Sequence, residues 1–267
     1  MIVGTRATSY SAAIANAVVG SPRRGVVHSV FSAAANIVFP RDFVLSLNAA
    51  VGPRMPNGLQ LAGRAPARER PYNDSLFLQM RPGMHVLLGA QRLHIEAIDC
   101  SLDLSGCSQW QPQIQRPELL DTQVFAKNTS WLLQRIEGSL SALDTTLFSS
   151  VQAMACYWCG RGIGLTPTGD DMLAGWMATN WLLHGPTPQV LHEHRQIIEV
   201  AMQQTHPLSQ CWLRYAAQGD VAEPIGSLLL ALTQEGDGQL ETATQAVLSL
   251  GATSGHDVIQ GILLHCR

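Results

Sequence analysis

Two stretches of the sequence combine backbone freedom with ionisable side chains: GRGIGLTPTGDDMLAGW, from Gly160 to Trp176, and GATSGHDVIQG, from Gly251 to Gly261. Aligned on Gly169 and Gly255, both read hydroxyl, glycine, polar residue, aspartate, two residues of which the second is branched and apolar, one more residue, glycine. A hydroxyl and a carboxylate suit a helix start: Thr168 or Ser254 would cap, and Asp170, Asp171 and Asp257 would complement the helix dipole. A cap accounts neither for Gly160, Gly162 and Gly164 nor for the repetition. The other reading takes the orphan N–H groups of a helix start as an anion site, opened to a ligand by glycines such as Gly164, Gly169 and Gly255. Arg161 would add a bidentate fork for phosphate or carboxylate.

This is neither a Walker loop nor a dinucleotide fingerprint, because the lysine–hydroxyl pair of the first and the preceding strand of both are missing. Asp170 and Asp171 compete with an anion for the same donors. A ligand carrying both an anion and an amide resolves the conflict, its oxyanion on Arg161 and the N–H groups, its NH₂ on a carboxylate. A magnesium ion bridging the aspartates and a phosphate is the other solution, disfavoured because no third carboxylate lies close in sequence. The expectation is therefore no metal and no cofactor. Arg214, in CWLRYAAQGD, is either the ion-pair partner of a structural acid or a ligand contact. His256 is either structural or a donor or acid at the second loop. CYWC at Cys156–Cys159 reads as two packed thiols, and HEHR at His192–Arg195 as a solvated helix face without zinc.

The elements that must position these residues differ between the two halves of the chain. Strand-like segments run from Val26 to about Gly106: GVVHSVFSAAANIVF, FVLSLNAAV, SLFLQM, HVLLGAQ and LHIEAIDCSLDL are short and separated by Pro, Gly and Asn. Gly52–Pro71, rich in proline and arginine, reads as a long surface loop or flap. After QWQPQIQRP the spacing becomes helical, first in ELLDTQVFAKNTSWLLQRIEGSLSAL, then over 146–158, 170–184, 188–204, 207–218, 221–234, 239–250 and 256–266. The fold class is α+β: an antiparallel barrel- or sandwich-like part over residues 1–112, then an all-helical part over 113–267. The helix from Asp170 has little polar face and should be buried at the centre. Gly175 and Gly261, inside their helices despite a cost of about 1 kcal/mol each against alanine, make those helices candidates to cross closely and bring both loops together.

The formal net charge of −3 argues against a general nucleic-acid binder. It is uneven, since residues 1–116 are arginine-rich and the remainder acidic. Six irregularly spaced cysteines suit a reducing compartment. No run approaches the roughly 20 apolar residues of a membrane span, and the first twenty residues lack a signal-peptide core, so a cytoplasmic, membrane-free protein is expected.

GIGLTPTGDDMLAGW, WLRYAAQGD and LGATSGHDVIQGIL, in this order and spacing, resemble a bacterial family long catalogued as a domain of unknown function. One member, from allantoin-degradation clusters, is a subunit of oxamate carbamoyltransferase. The resemblance extends into the first half through AANI at Ala34–Ile37 and through Gly52–Pro53. It implies the reaction oxalurate + phosphate ⇌ oxamate + carbamoyl phosphate, and companion protein subunits. It places Arg161, Thr166, Thr168, Gly169, Asp170 and Asp171 in the first motif, Arg214 in the second, and Ser254, Gly255 and Asp257 in the third. Members can carry His at the third residue after Pro167, which leaves Asp171 the firmer of the two adjacent aspartates. Asp171, Asp257 and Arg161 are then the expected catalytic groups, around carbamoyl phosphate, oxamate or an oxalurate-like anion. Carbamoyl transfer needs its reactants held in line and the carbonyl charge stabilised, with no obligatory metal. The alternatives are a non-catalytic binding or scaffolding subunit and a metal-dependent amide or carbamoyl hydrolase.

Overall fold

The computed structural model describes residues 6–40, 43–62, 76–136 and 148–266 of the chain. They divide into two compact units, the first running to Pro112 and the second from Gln113.

In the first unit, nine strands form one sheet among the described residues: β1 Ala7–Ser11, β2 Arg23–Val30, β3 Ala34–Phe39, β4 Phe43–Asn48, β5 Gly58–Leu61, β6 His85–Gly89, β7 Arg92–Ile95, β8 Cys100–Asp103 and β9 Ser108–Trp110. Their order is β8-β7-β6-β2-β3-β4-β5-β1-β9, curled into a half-barrel. Neighbours run antiparallel except β4–β5 and β1–β9, which are parallel. Alternation sends every second side chain to one face. Ile37, Leu45, Leu47, Leu59, Val86 and Leu93 form one fully buried cluster there, joined by Ile14 and Val18 from a helical turn and the short helix α1 Ala15–Val19. The opposite face of β3, β4, β5 and β1 is buried yet polar. Asn36 stands beside Ser46, Asn48 beside Gln60, and Gln60 beside Ser9.

Two sequence expectations change here. SLFLQM is not a strand, because Leu76–Gln79 make one helical turn, α2, with Leu76 and Phe77 buried. An apolar run this short carries too few periods to separate strand from helix. Gly52–Pro71 is not all loop: it contains β5, whose Leu59 and Leu61 are buried. The Gln60 amide donates back to Gly52 O at 3.0 Å, so the prolines shape a turn leading into a strand. Residues 63–75 lie outside the described residues.

The second unit is helical: α3 Thr122–Ile136, α4 Val151–Trp158, α5 Thr168–His184, α6 Pro188–Gln204, α7 Pro207–Ala216, α8 Glu223–Leu232, α9 Asp237–Leu248 and α10 Ser254–His265. Any continuation of α3 past Ile136 lies outside the described residues. The starts follow side-chain chemistry. Ser150 accepts from Ala153 N–H at the head of α4, Thr187 accepts from Val190 N–H at the head of α6, and proline opens α6 and α7.

Helix α5 is buried on nearly every side, from Gly169 to Leu182 with the exception of Ala174. Its tightest neighbour is α10. A Cβ at Gly175 would fall inside the envelope of Val258 O, and one at Gly261 inside that of Met172 O. The two glycines therefore let the helices touch backbone to backbone at reciprocal positions. A constant offset relates Thr168 to Ser254, Gly169 to Gly255, Asp171 to Asp257, Met172 to Val258 and Gly175 to Gly261. The repeated sequence is thus a repeated helix start whose two copies pack on each other. Among the described residues no helix is long and apolar enough to cross a membrane.

Candidate functional site

Because α5 and α10 cross at Gly175 and Gly261, their N-terminal turns meet. The Thr166 and Ser254 hydroxyls, from the two loops, lie 3.1 Å apart in a hydrogen bond. Neither Thr168 nor Ser254 is the cap. The N-cap residues are Pro167 and Thr253, and neither makes a side-chain capping bond. The hydroxyl that the repeat preserves sits one residue inside the helix, and at Ser254 it serves the contact between loops.

Beneath that contact lie the two equivalent aspartates. Asp171 is 8% exposed and Asp257 6%, and the Oδ2 atom of each has no hydrogen-bond partner among the described residues. Burial pushes the Asp171 carboxyl up to about 7. The Ser254 and Thr166 hydroxyls favour its charged form, while the charges of Asp257 and Asp170 add to the upward push. Asp257 Oδ1 lies 3.9 Å from His256 Nδ1, which also faces Gln260 Nε2 at 3.3 Å.

Asp170 does different work. Its Oδ1 accepts from Gly160 N–H at 2.8 Å and its Oδ2 from the Thr205 hydroxyl, so both oxygens fasten the glycine loop to the end of α6. The loop backbone needs its glycines: Gly160, Gly162 and Gly164 have φ of 71°, 123° and 98°. Gly169 and Gly255 serve packing instead. A Cβ on Gly169 would strike Trp158 O of α4, and one on Gly255 would strike Val247 O of α9.

The helix-start amides also differ from the anion cradle expected of them. Gly169 N–H donates to Arg161 O, Asp170 and Asp171 N–H to Pro167 O, Gly255 N–H to Leu250 O, and Asp257 N–H to Thr253 O. Donors already closed on carbonyls do not hold an oxyanion. Two buried acceptors, Asp171 Oδ2 and Asp257 Oδ2, thus lie at turns where these five amides have no donor left over. The space beside Gly169 and Gly255 is filled by protein backbone, which removes the reason to place a ligand there.

Arg161 is exposed and its guanidinium lies 3.9 Å over the Tyr157 ring. The Arg214 guanidinium lies 2.7 Å from Met202 Sδ, on the side of α7 toward α6. Gly164 is exposed at the loop tip with nothing near its Cβ position. The structure thus brings Thr166, Asp171, Ser254 and Asp257 together with His256 beside them. It holds Asp170, Gly169 and Gly255 in the scaffold.

The HEHR segment is not wholly solvated. His194 is 1% exposed, with Nδ1 3.0 Å from Ala217 O, whereas His192 and Arg195 are exposed. Cys156 and Cys159 are free thiols, and burial pushes Cys159 up to about 12. No cluster of three or more His, Cys, Asp or Glu side chains able to hold a metal ion occurs among the described residues. Sequence reasoning missed Thr205, Tyr157 and the apolar loop tip Ile163. Tyr157 and Arg161 meet although α4 ends between them at Trp158, so helical spacing does not announce the pair. Thr205 reaches Asp170 from another helix and leaves no trace in sequence.

Two protein-family models match the chain. One, described as "Oxamate carbamoyltransferase subunit AllH", matches residues 158–266, and the other, "AllH family N-terminal domain", matches residues 6–109. All of the residues that meet at the two helix starts fall in the first match. No solved structure matches the chain.

Proposed function

The chain belongs to the AllH family of oxamate carbamoyltransferase subunits, and from that premise we propose that the Asp171–Asp257 pair is where it takes part in carbamoyl transfer. The observation that carries this reading is the pair of buried carboxyl oxygens without partners, on two convergent helix starts. A buried acceptor left unsatisfied costs roughly 1–3 kcal/mol, and a ligand with N–H groups removes that cost on binding. A carbamoyl or ureido group offers such N–H groups.

The reaction also needs a proton relay. Hydrogen phosphate attacks the carbamoyl carbon of oxalurate through oxygen, the bond from that carbon to the oxamate nitrogen breaks, and the phosphate proton ends on that nitrogen. Asp171, pushed up to about 7, is divided between its two protonation states near neutral pH and can accept and return the proton. Asp257 then orients the carbamoyl NH₂ while its charge favours the protonated form of Asp171. Arg161, whose guanidinium lies over the Tyr157 ring, brings a cation for an anion at the rim.

The internal use of the helix-start amides favours a division of labour. As a subunit of a carbamoyltransferase, the chain has companion subunits, and much of the positive charge that the phosphate and oxamate require is theirs to supply. This second reading, a site shared in function with companions, follows from the closed amides at Gly169, Asp171, Gly255 and Asp257. Calorimetric titration of the assembled complex with oxamate, carbamoyl phosphate and phosphate tests both. Asp171→Asn should weaken oxamate and carbamoyl phosphate, which carry NH₂, more than phosphate. Equal affinity of wild type and variant for all three removes the pair from the binding site.

A further inference from the structure

We infer that Ile163 is a specificity-determining residue, closing over the Asp171–Asp257 pair so that phosphate rather than water receives the carbamoyl group. The inference rests on the carbamoyl-transfer reading and makes it more specific.

The two copies of the helix start are not identical. The stretch from Trp158 to Gly169 is three residues longer than its counterpart from Val247 to Gly255, although both glycines meet the preceding helix in the same way. The extra length carries Gly162, Ile163 and Gly164. Ile163 is 94% exposed, with glycines of φ 123° and 98° on either side. The loop is tied down at both ends, by the Gly169 N–H to Arg161 O bond and by the Thr166–Ser254 bond. Gly162 itself lies against Thr168 at the start of α5. A single branched apolar side chain thus stands in solvent next to Gly162, which lies against the start of α5, and between two residues whose backbones absorb large rotations at little steric cost. Leaving it in water has no benefit for an isolated helix start, and the second copy does without it.

The reaction explains the need. Water competes with phosphate for the same carbon. Attack by water breaks the same carbon–nitrogen bond and delivers oxamate with carbamic acid, which decays to ammonia and carbon dioxide, so the phosphoryl product is lost. Excluding water suppresses that side reaction. An isoleucine folded over the carboxyl pair after phosphate and oxalurate bind supplies the exclusion and no hydrogen bond of its own.

The test uses the assembled complex, supplied with oxalurate and phosphate, and compares the oxamate released with the carbamoyl phosphate trapped. Wild type should give matched amounts. Ile163→Ser should give a several-fold excess of oxamate, balanced by ammonia, and Ile163→Leu should stay near wild type. Matched products from Ile163→Ser overturn the inference whatever its rate. Failure of that variant to assemble also overturns it, making Ile163 a subunit contact. If the wild-type complex itself shows no phosphate-dependent cleavage, the carbamoyl-transfer reading falls first, and the two failures are told apart by which protein shows them.

Discussion

Ser254, at the first position of the last helix, shares a hydrogen bond of 3.1 Å with Thr166, 88 residues earlier in the chain. This contact joins the two copies of a repeated motif, and the approach of α5 to α10 that makes it possible depends on bare backbone at Gly175 and Gly261.

Alanine at either crossing glycine should therefore destabilise the protein. The gain in helix propensity, about 1 kcal/mol, is outweighed by a methyl group forced against a carbonyl oxygen, at a net cost of roughly 1–3 kcal/mol. Thermal melts of Gly175→Ala and Gly261→Ala should show it. Gly238→Ala in α9, where a Cβ meets nothing within 4 Å, should leave the midpoint unchanged or raise it.

Asp170 should matter for stability more than for ligand. Asp170→Ala orphans Gly160 N–H and the Thr205 hydroxyl and should cost about 1–3 kcal/mol. In a double-mutant cycle with Thr205→Val, the second substitution should cost much less once the first is present. Additive losses would show that the carboxylate does not hold α6 to the loop.

Asp171 makes the opposite trade. Its folded pKa, about 7, lies above the ordinary carboxylate value, so its contribution is present at low pH and is lost as pH rises toward and through 7. At pH 8 the folded protein holds a buried, ionised, under-paired group. Asp171→Asn removes that cost and should raise stability at pH 8 by roughly 1–3 kcal/mol, with little effect at pH 4. Urea midpoints at the two pH values check the sign.

Histidines shape the acid limb. Burial lowers His265 to about 4 and also lowers His194; His184, Glu193 and Trp176 stand around them. His265 stays neutral in the folded state until pH nears 4, and His194 takes up its proton less readily folded than unfolded, while the unfolded chain takes up protons below about 6.5, so stability should fall as pH drops from there toward 4. His265→Phe should flatten this part of the stability–pH curve. An unchanged slope would mean that His265 is charged in the fold.

Much of the architecture was legible in the sequence because its signals are local. Period-two runs such as FVLSLN and ANIVF became β4 and β3, and Gly or Pro follows each of α4 to α9 within a few residues of its end. The crossing of α5 and α10 was legible from Gly175 and Gly261, since glycine inside an apolar helix needs a packing reason. Other elements depend on distant partners. ATSYS becomes β1 because β5 and β9 flank it, and its hydroxyls conceal the strand. Asn36, Ser46 and Gln60 look solvent-facing, yet the sheet buries them. At the site, the aspartates and hydroxyls were visible as a repeat. Which aspartate is tied up and which is left over was not, because Thr205 and the carbonyls that close the helix-start amides come from tertiary structure.

Phosphate-dependent cleavage of oxalurate by the assembled complex, followed against pH for wild type, Asp171→Asn and Asp257→Asn, tests whether the carboxyl pair takes part in carbamoyl transfer. Wild type should give a profile with a limb near pH 7, and Asp171→Asn should lose about 10²-fold or more with that limb gone, as for removal of a general acid–base group. Asp257→Asn should lose turnover and move the limb to lower pH, because one source of the upward push on Asp171 is removed. Full turnover in Asp171→Asn, with the wild-type pH profile intact, would contradict that role of the pair.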